Sequence, residues 1–206
     1  MKGVFITLEG IEGVGKSTQS AFIESELRKN GHDVLLTREP GGTAVGEAIR
    51  EILLNGKHLH IEAGTELLLI FTARMQHITE VIQPALSSGK IVLCDRFTDA
   101  TYAYQGGGRG IPREEIAVLE QFVQKTLRPD YTILFDVPVE VGLSRANRRS
   151  EADRFESETL TFFEKVRQSY LRIAEEEPQR VHVINANQPI DAVQQDIVGL
   201  LKELGL

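Results

Sequence analysis

The chain has 206 residues, 41% hydrophobic and 26% charged, which suits one globular domain with a substantial core. A formal net charge of −7 excludes a general nucleic-acid binder, which would carry a basic face. The single cysteine, Cys94, excludes an intrachain disulfide, and no segment is long and apolar enough to span a bilayer.

Met1-Lys2-Gly3 leads straight into the first apolar run, Val4 to Leu8, with no signal peptide before it. A cytoplasmic location is therefore expected. Val4-Phe5-Ile6-Thr7-Leu8 is β-branched and apolar, the mark of a buried strand. Gly10-Ile11-Glu12-Gly13-Val14-Gly15-Lys16-Ser17 follows and fits the pattern G-x-x-x-x-G-K-[ST]. Thr18 to Lys29 then reads as a helix stopped by Asn30-Gly31. Strand, glycine turn and helix together make a phosphate cradle. Glycines let backbone N–H groups close on an anion, and the helix N-terminus adds partial positive charge. Lys16 would reach the β- and γ-phosphates, and Ser17 would offer its hydroxyl to Mg²⁺. Residues Gly10 to Thr18 thus form a candidate nucleoside triphosphate site.

Asp33 to Thr37 is a second buried strand, ending in Arg38-Glu39-Pro40-Gly41-Gly42-Thr43. A charged pair at a strand's carboxyl end lies where open α/β sheets bind ligands. Arg38 suits a phosphate contact or, equally, a surface ion pair with Glu39. Val45 to Leu54 is a short helix carrying Arg50. Glu62 to Leu86 gives a long helical pattern, apolar around much of its circumference, which suits the core alone or the core plus a subunit interface. Arg74 lies within it and needs a partner or a ligand, because an unpaired buried charge is costly.

Lys90 to Cys94 is the third strand, closing in Asp95-Arg96. In a chain with a phosphate loop, an acidic residue at such a strand end is a candidate Mg²⁺ carboxylate. Phe97 to Arg109 carries aromatic, hydroxyl and amide side chains into three glycines. It suits a base-recognising wall with a mobile rim, or an ordinary helix turn and loop. Pro112 to Thr126 is an amphipathic helix and Tyr131 to Asp136 the fourth strand. Val139 to Ala146 begins a helix that runs into Arg145, Arg148, Arg149 and Arg154 around a polar break. Guanidinium forks there would suit a lid over phosphates at about 145–156, the alternative being a solvated charged face. Leu160 to Glu177 is a helix, Arg180 to Ile184 a fifth strand, and Ile190 to Leu204 a closing amphipathic helix. The five histidines show no metal-ligand spacing.

Strands and helices alternate throughout. The expected fold is α/β, of the P-loop NTPase type: a parallel five-stranded sheet with helices on both faces and an Arg-rich lid, in one domain over 1–206. Phosphoryl transfer asks for positioning and charge stabilisation, and a lid keeps out water. Lys16, Ser17 and Asp95 account for a donor nucleotide with Mg²⁺. Arg38 and Arg96 would meet an acceptor's own phosphate, and Arg74, Thr101 and Gln105 could face a base. These parts belong to a small-molecule kinase acting on a phosphorylated acceptor.

With these motifs in view, the chain closely resembles the bacterial thymidylate kinases. The resemblance rests on Phe5 through Thr18, Arg38 through Thr43, Asp95-Arg96-Phe97, Ala103-Tyr104-Gln105-Gly106, Asp136-Val137-Pro138 and Asp153-Arg154-Phe155-Glu156. It implies transfer of the ATP γ-phosphate to dTMP, giving dTDP and ADP in dTTP synthesis, on a homodimer. It implies that Arg96 holds the dTMP phosphate with Arg38 and Arg50 nearby, and that Arg74, Thr101 and Gln105 read thymine. Glu12 corresponds to the acidic residue that meets the sugar 3′-hydroxyl. Because the phosphate loop has no arginine, the catalytic charge would come from the lid, from Arg149 with Arg145 and Arg148 beside it. One departure stands out: the family's usual Phe, four residues before the base-reading arginine, is Ile70 here, with Phe71 adjacent. Rival readings are another nucleoside or nucleotide kinase, or a catalytically silent nucleotide-binding module. A signalling GTPase would need an Asn-Lys-x-Asp motif, which the sequence lacks.

Overall fold

The computed structural model describes residues 3–55, 59–146, 154–155 and 158–206. Five parallel strands form one sheet: β1 (Val4–Glu9), β2 (Val34–Arg38), β3 (Ile91–Asp95), β4 (Tyr131–Asp136) and β5 (Val181–Asn185). Their order is β2-β3-β1-β4-β5, so β1 is central and its carboxyl end delivers the phosphate loop to the middle of the sheet edge. Leu8 pairs with Asp95 of β3 and with Ile133 of β4, which aligns the functional strand ends. The three inner strands are almost wholly buried, as parallel strands covered on both faces must be, while edge strands β2 and β5 mix buried with exposed positions. All five expected strands are present.

Helices α1 (Lys16–Lys29), α2 (Ala44–Asn55), α6 (Arg113–Gln124), α7 (Val139–Ala146), α8 (Leu160–Glu176) and α9 (Ile190–Glu203) match the expected helical segments closely. The long helix expected over Glu62 to Leu86 is built in three pieces. α3 (Ala63–His77) passes through a π-helical turn, Ile78–Ile82, into α4 (Gln83–Ser87). Likewise, α5 (Thr98–Thr101) widens into a second π-helical stretch, Tyr102–Gly108. Residues 97–109 are thus neither a loop nor a regular helix, and π turns are frequent at functional sites.

The main core joins β1, β3, β4 and β5 to α1, α8 and α9 through Ile6, Leu8, Ile23, Leu93, Ile133, Phe163, Val166 and Ile197. On the other face Phe5, Ile82, Val92, Cys94 and Phe97 form a smaller cluster, with the Phe5 and Phe97 rings edge-on at 4.9 Å. Phe97 is fully buried next to Arg96, whose backbone sits at φ 70. A left-handed arginine costs on the order of 1–3 kcal/mol, a strain that persists only where its surroundings enforce it. The buried Phe97 ring, worth about 3–5 kcal/mol by comparison with truncation, holds the turn in place. α2 packs on α3 through Ile49, Leu53 and Ala73, and α3 reaches α6 through Leu67, Phe71 and Ile116.

Candidate active site

A cleft of about 310 Å³ opens along the carboxyl edge of the sheet. At one end lies the phosphate loop. Gly13 has φ 73, and a side chain there would collide with the carbonyl of Gly142, so loop and α7 can approach only through glycine. Gly15, at φ 95, turns the chain into α1, placing Lys16 and Ser17 on its first turn. Lys16 Nζ donates to the loop carbonyls of Gly10 at 2.8 Å and Ile11 at 3.0 Å. Burial, then the neighbouring positive Arg96, lowers the pKa of this lysine to about 8. Such a cation gains from any anion set between it and the loop N–H groups.

Asp95 ends β3 beside the loop. Its Oδ1 is buried and has no hydrogen-bond partner among the described residues, and both Asp95 and Ser17 line the cleft. An uncompensated carboxylate oxygen with a hydroxyl on the same wall fits a hard, oxygen-seeking divalent cation. The donor set is therefore suited to Mg²⁺.

Further along, Glu12 and Arg96 meet across the cleft floor, with Arg96 Nη2 donating to Glu12 Oε1 at 2.9 Å. Tyr104 Oη donates to the same carboxylate, at 2.7 Å and 2.6 Å to its two oxygens, and the Arg96 guanidinium lies 4.7 Å from the Tyr104 ring centre. Arg50 reaches the cleft from α2 and donates to the carbonyl of Pro40 at 2.9 Å. Burial and the positive charge of Arg38 pull its pKa below the ordinary arginine value, and Arg96 adds to the effect. Lys16, Arg50 and Arg96 thus crowd positive charge around one volume, which favours an anionic occupant. Arg38 stands outside the cleft lining. Of its two readings, a phosphate contact or an ion pair with Glu39, the second is not met: its surface ion-pair partner is Glu47, at 3.0 Å.

Glu39 is instead buried, 4% exposed, at the foot of the far end. Its Oε2 accepts from Arg74 Nε at 2.7 Å, its Oε1 meets His77 Nδ1 at 3.0 Å, and His77 Nε2 pairs with Thr37 Oγ1 at 2.7 Å. Arg74 also donates through Nη2 to Phe97 O at 2.9 Å and Thr101 Oγ1 at 3.0 Å, between the rings of Phe71 and Phe97. Its remaining nitrogen, Nη1, is buried without a partner among the described residues. Arg74, Thr101, Gln105 and Ile70 all line this end of the cleft, together with Phe155. Ile70 stands on the wall, while the neighbouring Phe71 turns into the core.

The expected site residues Glu12, Gly13, Val14, Gly15, Lys16, Ser17, Arg50, Ile70, Arg74, Asp95, Arg96, Thr101 and Gln105 are thus brought together around one cleft. Arg145 lies apart, donating to the carbonyl of Ala186 at 3.1 Å beyond the end of β5. Arg148 and Arg149 lie outside the described residues. Sequence reasoning missed Glu9, Tyr104, Tyr170 and Glu66. Glu9 ends β1 fully buried, accepting from Phe97 N–H at 2.8 Å and Tyr170 Oη at 2.8 Å. Burial first, then the nearby Asp99 charge, raises its pKa to about 7. An acidic residue closing an apolar strand one step before the glycine loop was the available signal.

Comparison with known proteins agrees with this geometry. The family model described as thymidylate kinase matches residues 8–197. The chain belongs to the thymidylate kinase family. The kinase is 60% identical over 201 residues to the thymidylate kinase of Pseudomonas putida F1, covering 98% of this chain and 96% of that one. It is 59% identical over 204 residues to that of Ectopseudomonas mendocina, covering 99% and 97%. The crystal structure of thymidylate kinase from Ehrlichia chaffeensis superposes with a TM-score of 0.80 at 34% identity, covering 98% of this chain and 100% of that one. The reaction of this kinase is accordingly phosphorylation of dTMP in the synthesis of dTTP.

Proposed function

We propose that this cleft seats both substrates head to head, ATP on the phosphate loop and dTMP against Arg96 and Arg74. Supporting this is the cleft's polarity: crowded cations at its middle, and at its far end a buried guanidinium nitrogen with no partner among the described residues. Residues Gly10 to Thr18 hold the triphosphate, with Lys16 leaving the loop carbonyls to pair with the β- and γ-phosphates. Ser17 and Asp95 would hold Mg²⁺, which when bound neutralises charge on the donor phosphates. Arg96, with Arg50 and Arg38 nearby, fixes the acceptor phosphate in line with the donor, and Glu12 takes the sugar hydroxyl. Placing the two phosphates in line is itself the larger part of the catalysis, because the transfer needs little covalent help.

At the base end, Arg74 Nη1 is a donor without a partner among the described residues and Gln105 borders the same space, a pair suited to the O4 and N3–H edge of thymine. Thr101 orients Arg74 and shares in the contact. Ile70 covers a base face with aliphatic surface in place of an aromatic ring. The arginines of the 145–156 segment would form the lid of one kinase domain spanning 1–206, Arg149 foremost with Arg148 supplying charge to the transferring phosphoryl group, while Arg145, held at the Ala186 carbonyl, is left to the ATP side.

We further take the enzyme to act as a homodimer in the cytoplasm. Leu68 and Met75 on α3, with Val118 and Phe122 on α6, leave large apolar side chains exposed on adjoining helices. Such a surface suits a second copy. No helix among the described residues is long and apolar enough to cross a membrane. The deciding experiment is ADP release with ATP and Mg²⁺ across a panel of nucleoside monophosphates. A clear preference for dTMP is expected, and preference for a purine monophosphate would overturn the assignment.

A further inference from the structure

Glu66 lies on α3 and is entirely buried at 0% exposure, just outside the cleft lining. Its Oε1 accepts from Gln105 Nε2 at 2.8 Å and from Arg109 Nε at 3.2 Å. Its Oε2 accepts from Arg109 Nη2 at 3.2 Å and from Arg154 Nη2. Arg109 is itself packed against the Phe162 ring at 4.8 Å and paired with Glu158, and Arg154 is held by the carbonyl of Leu53 at 2.7 Å. The carboxylate is therefore pinned, and it offers acceptors only.

A glutamine amide has two ends of nearly equal shape and opposite hydrogen-bond sense, and a half-turn of its last torsion exchanges them. Against Glu66 only the NH₂ end of Gln105 can be satisfied. Its carbonyl oxygen is left for the cleft that Gln105 borders. We infer that Glu66 is a positioning residue that sets base selectivity, by locking the Gln105 amide with its acceptor toward the base. This rests on the assignment of Gln105 to the base end. An inward acceptor beside the Arg74 Nη1 donor matches the N3–H and O4 of thymine. Cytosine presents the reverse, an N3 acceptor and an N4 donor, and meets both groups wrongly.

Replacing Glu66 by glutamine leaves the volume and removes one acceptor. Two guanidinium donors meet at the Oε2 position against one, the longer Arg109 Nε contact, at Oε1, so the new carbonyl is drawn to Oε2; its NH₂ then faces Gln105 and displaces the Arg109 Nε donor. Gln105 then turns over and presents NH₂ to the cleft. The test is calorimetric titration of the full-length wild-type and Glu66→Gln proteins with dTMP and with dCMP. The expected result is a roughly 10- to 100-fold weaker Kd for dTMP in the variant with dCMP unchanged or tighter, as for one reversed buried hydrogen bond. Equal weakening of both nucleotides, with their ratio preserved, overturns the inference and leaves Glu66 as a wall support. In a Gln105→Met background the Glu66→Gln change must leave the ratio unaltered, and a further change there also overturns it. A wild-type enzyme that binds dCMP as tightly as dTMP would overturn the assignment of the base end itself. If Glu66→Gln does not fold, the wild-type protein decides by NMR. The Gln105 side-chain NH₂, assigned by its loss in Gln105→Met, exchanges slowly in the free enzyme and stays slow when dTMP binds. Rapid exchange in the free enzyme would refute the lock.

Discussion

Glu9 ties the folding stability of this kinase to pH through one buried carboxyl. It is completely enclosed at the end of β1, where its oxygens accept from Phe97 N–H and Tyr170 Oη, each at 2.8 Å. Burial outweighs those two donors, and the nearby Asp99 charge adds to it, raising the carboxyl pKa from 4.5 to about 7. A group whose folded pKa lies above its unfolded value binds more protons in the native state over the interval between them. Stability linked to Glu9 is therefore complete below pH 4.5 and is lost as pH rises through about 7. At ~1.4 kcal/mol per pH unit, that displacement amounts to about 3 kcal/mol. Glu9→Gln removes the titration and keeps the shape. Its carbonyl can accept from Phe97 N–H while its NH₂ donates to Tyr170, whose hydroxyl rotates to receive it. Urea unfolding of both proteins at a series of pH values isolates the residue in the difference between the curves. The variant's advantage is expected to grow by about 3 kcal/mol between pH 4.5 and pH 8, against small differences below that interval. A difference that stays flat with pH would refute the buried, proton-binding carboxyl.

Four further outcomes concern the chemistry. Lys16→Ala should lower kcat by roughly 10²- to 10³-fold with the circular dichroism spectrum unchanged, because it removes charge stabilisation at the transferred phosphate; near-normal kcat would remove Lys16 from the mechanism. In the wild-type enzyme kcat/KM for ATP should fall as pH rises through about 8, where the free-enzyme Lys16 loses its proton, while kcat holds to higher pH because bound phosphate stabilises the ammonium form. A kcat/KM profile level well past pH 9 would contradict this. Arg149→Ala should lower kcat more than it raises KM for dTMP, and the same loss in Arg148→Ala alone would shift the catalytic role to its neighbour. Ile70→Phe should lower the Kd for dTMP by roughly tenfold, since base–aromatic stacking is worth about 1–3 kcal/mol per base; an unchanged Kd in calorimetry would place the base away from residue 70.

What the sequence exposes and what it hides divides along contact range. The inner strands are continuous apolar runs and can be read locally. Edge strands β2 and β5 are legible too, but β2, expected to be buried, has Leu36 exposed, because nothing in a local run says which strand lies at the edge. The phosphate loop encodes its turn in glycines at fixed spacing. The strand-end residues Asp95 and Arg96 could be placed because a doubly wound sheet collects its carboxyl ends on one edge. By contrast, the partners that decide the buried charges lie far along the chain. Glu9 meets Tyr170, 161 residues away, and Arg74 meets Glu39, 35 residues away. No periodicity links such positions. Arg74 can be recognised as needing a partner, but not which one, since Glu39 suits equally a pairing with its neighbour Arg38 if that arginine does not meet a phosphate. The π-helical turns at Ile78–Ile82 and Tyr102–Gly108 are hidden for a related reason. A single wide turn shifts the register of side chains without breaking the apolar pattern, so Glu62 to Leu86 reads as one regular helix. The consequence is functional, because the second π stretch carries both Tyr104 and Gln105. Tyr104 reaches Glu12 at the phosphate end, while Gln105, the next residue, is held by Glu66 at the base end. One irregular turn therefore serves both ends of the cleft.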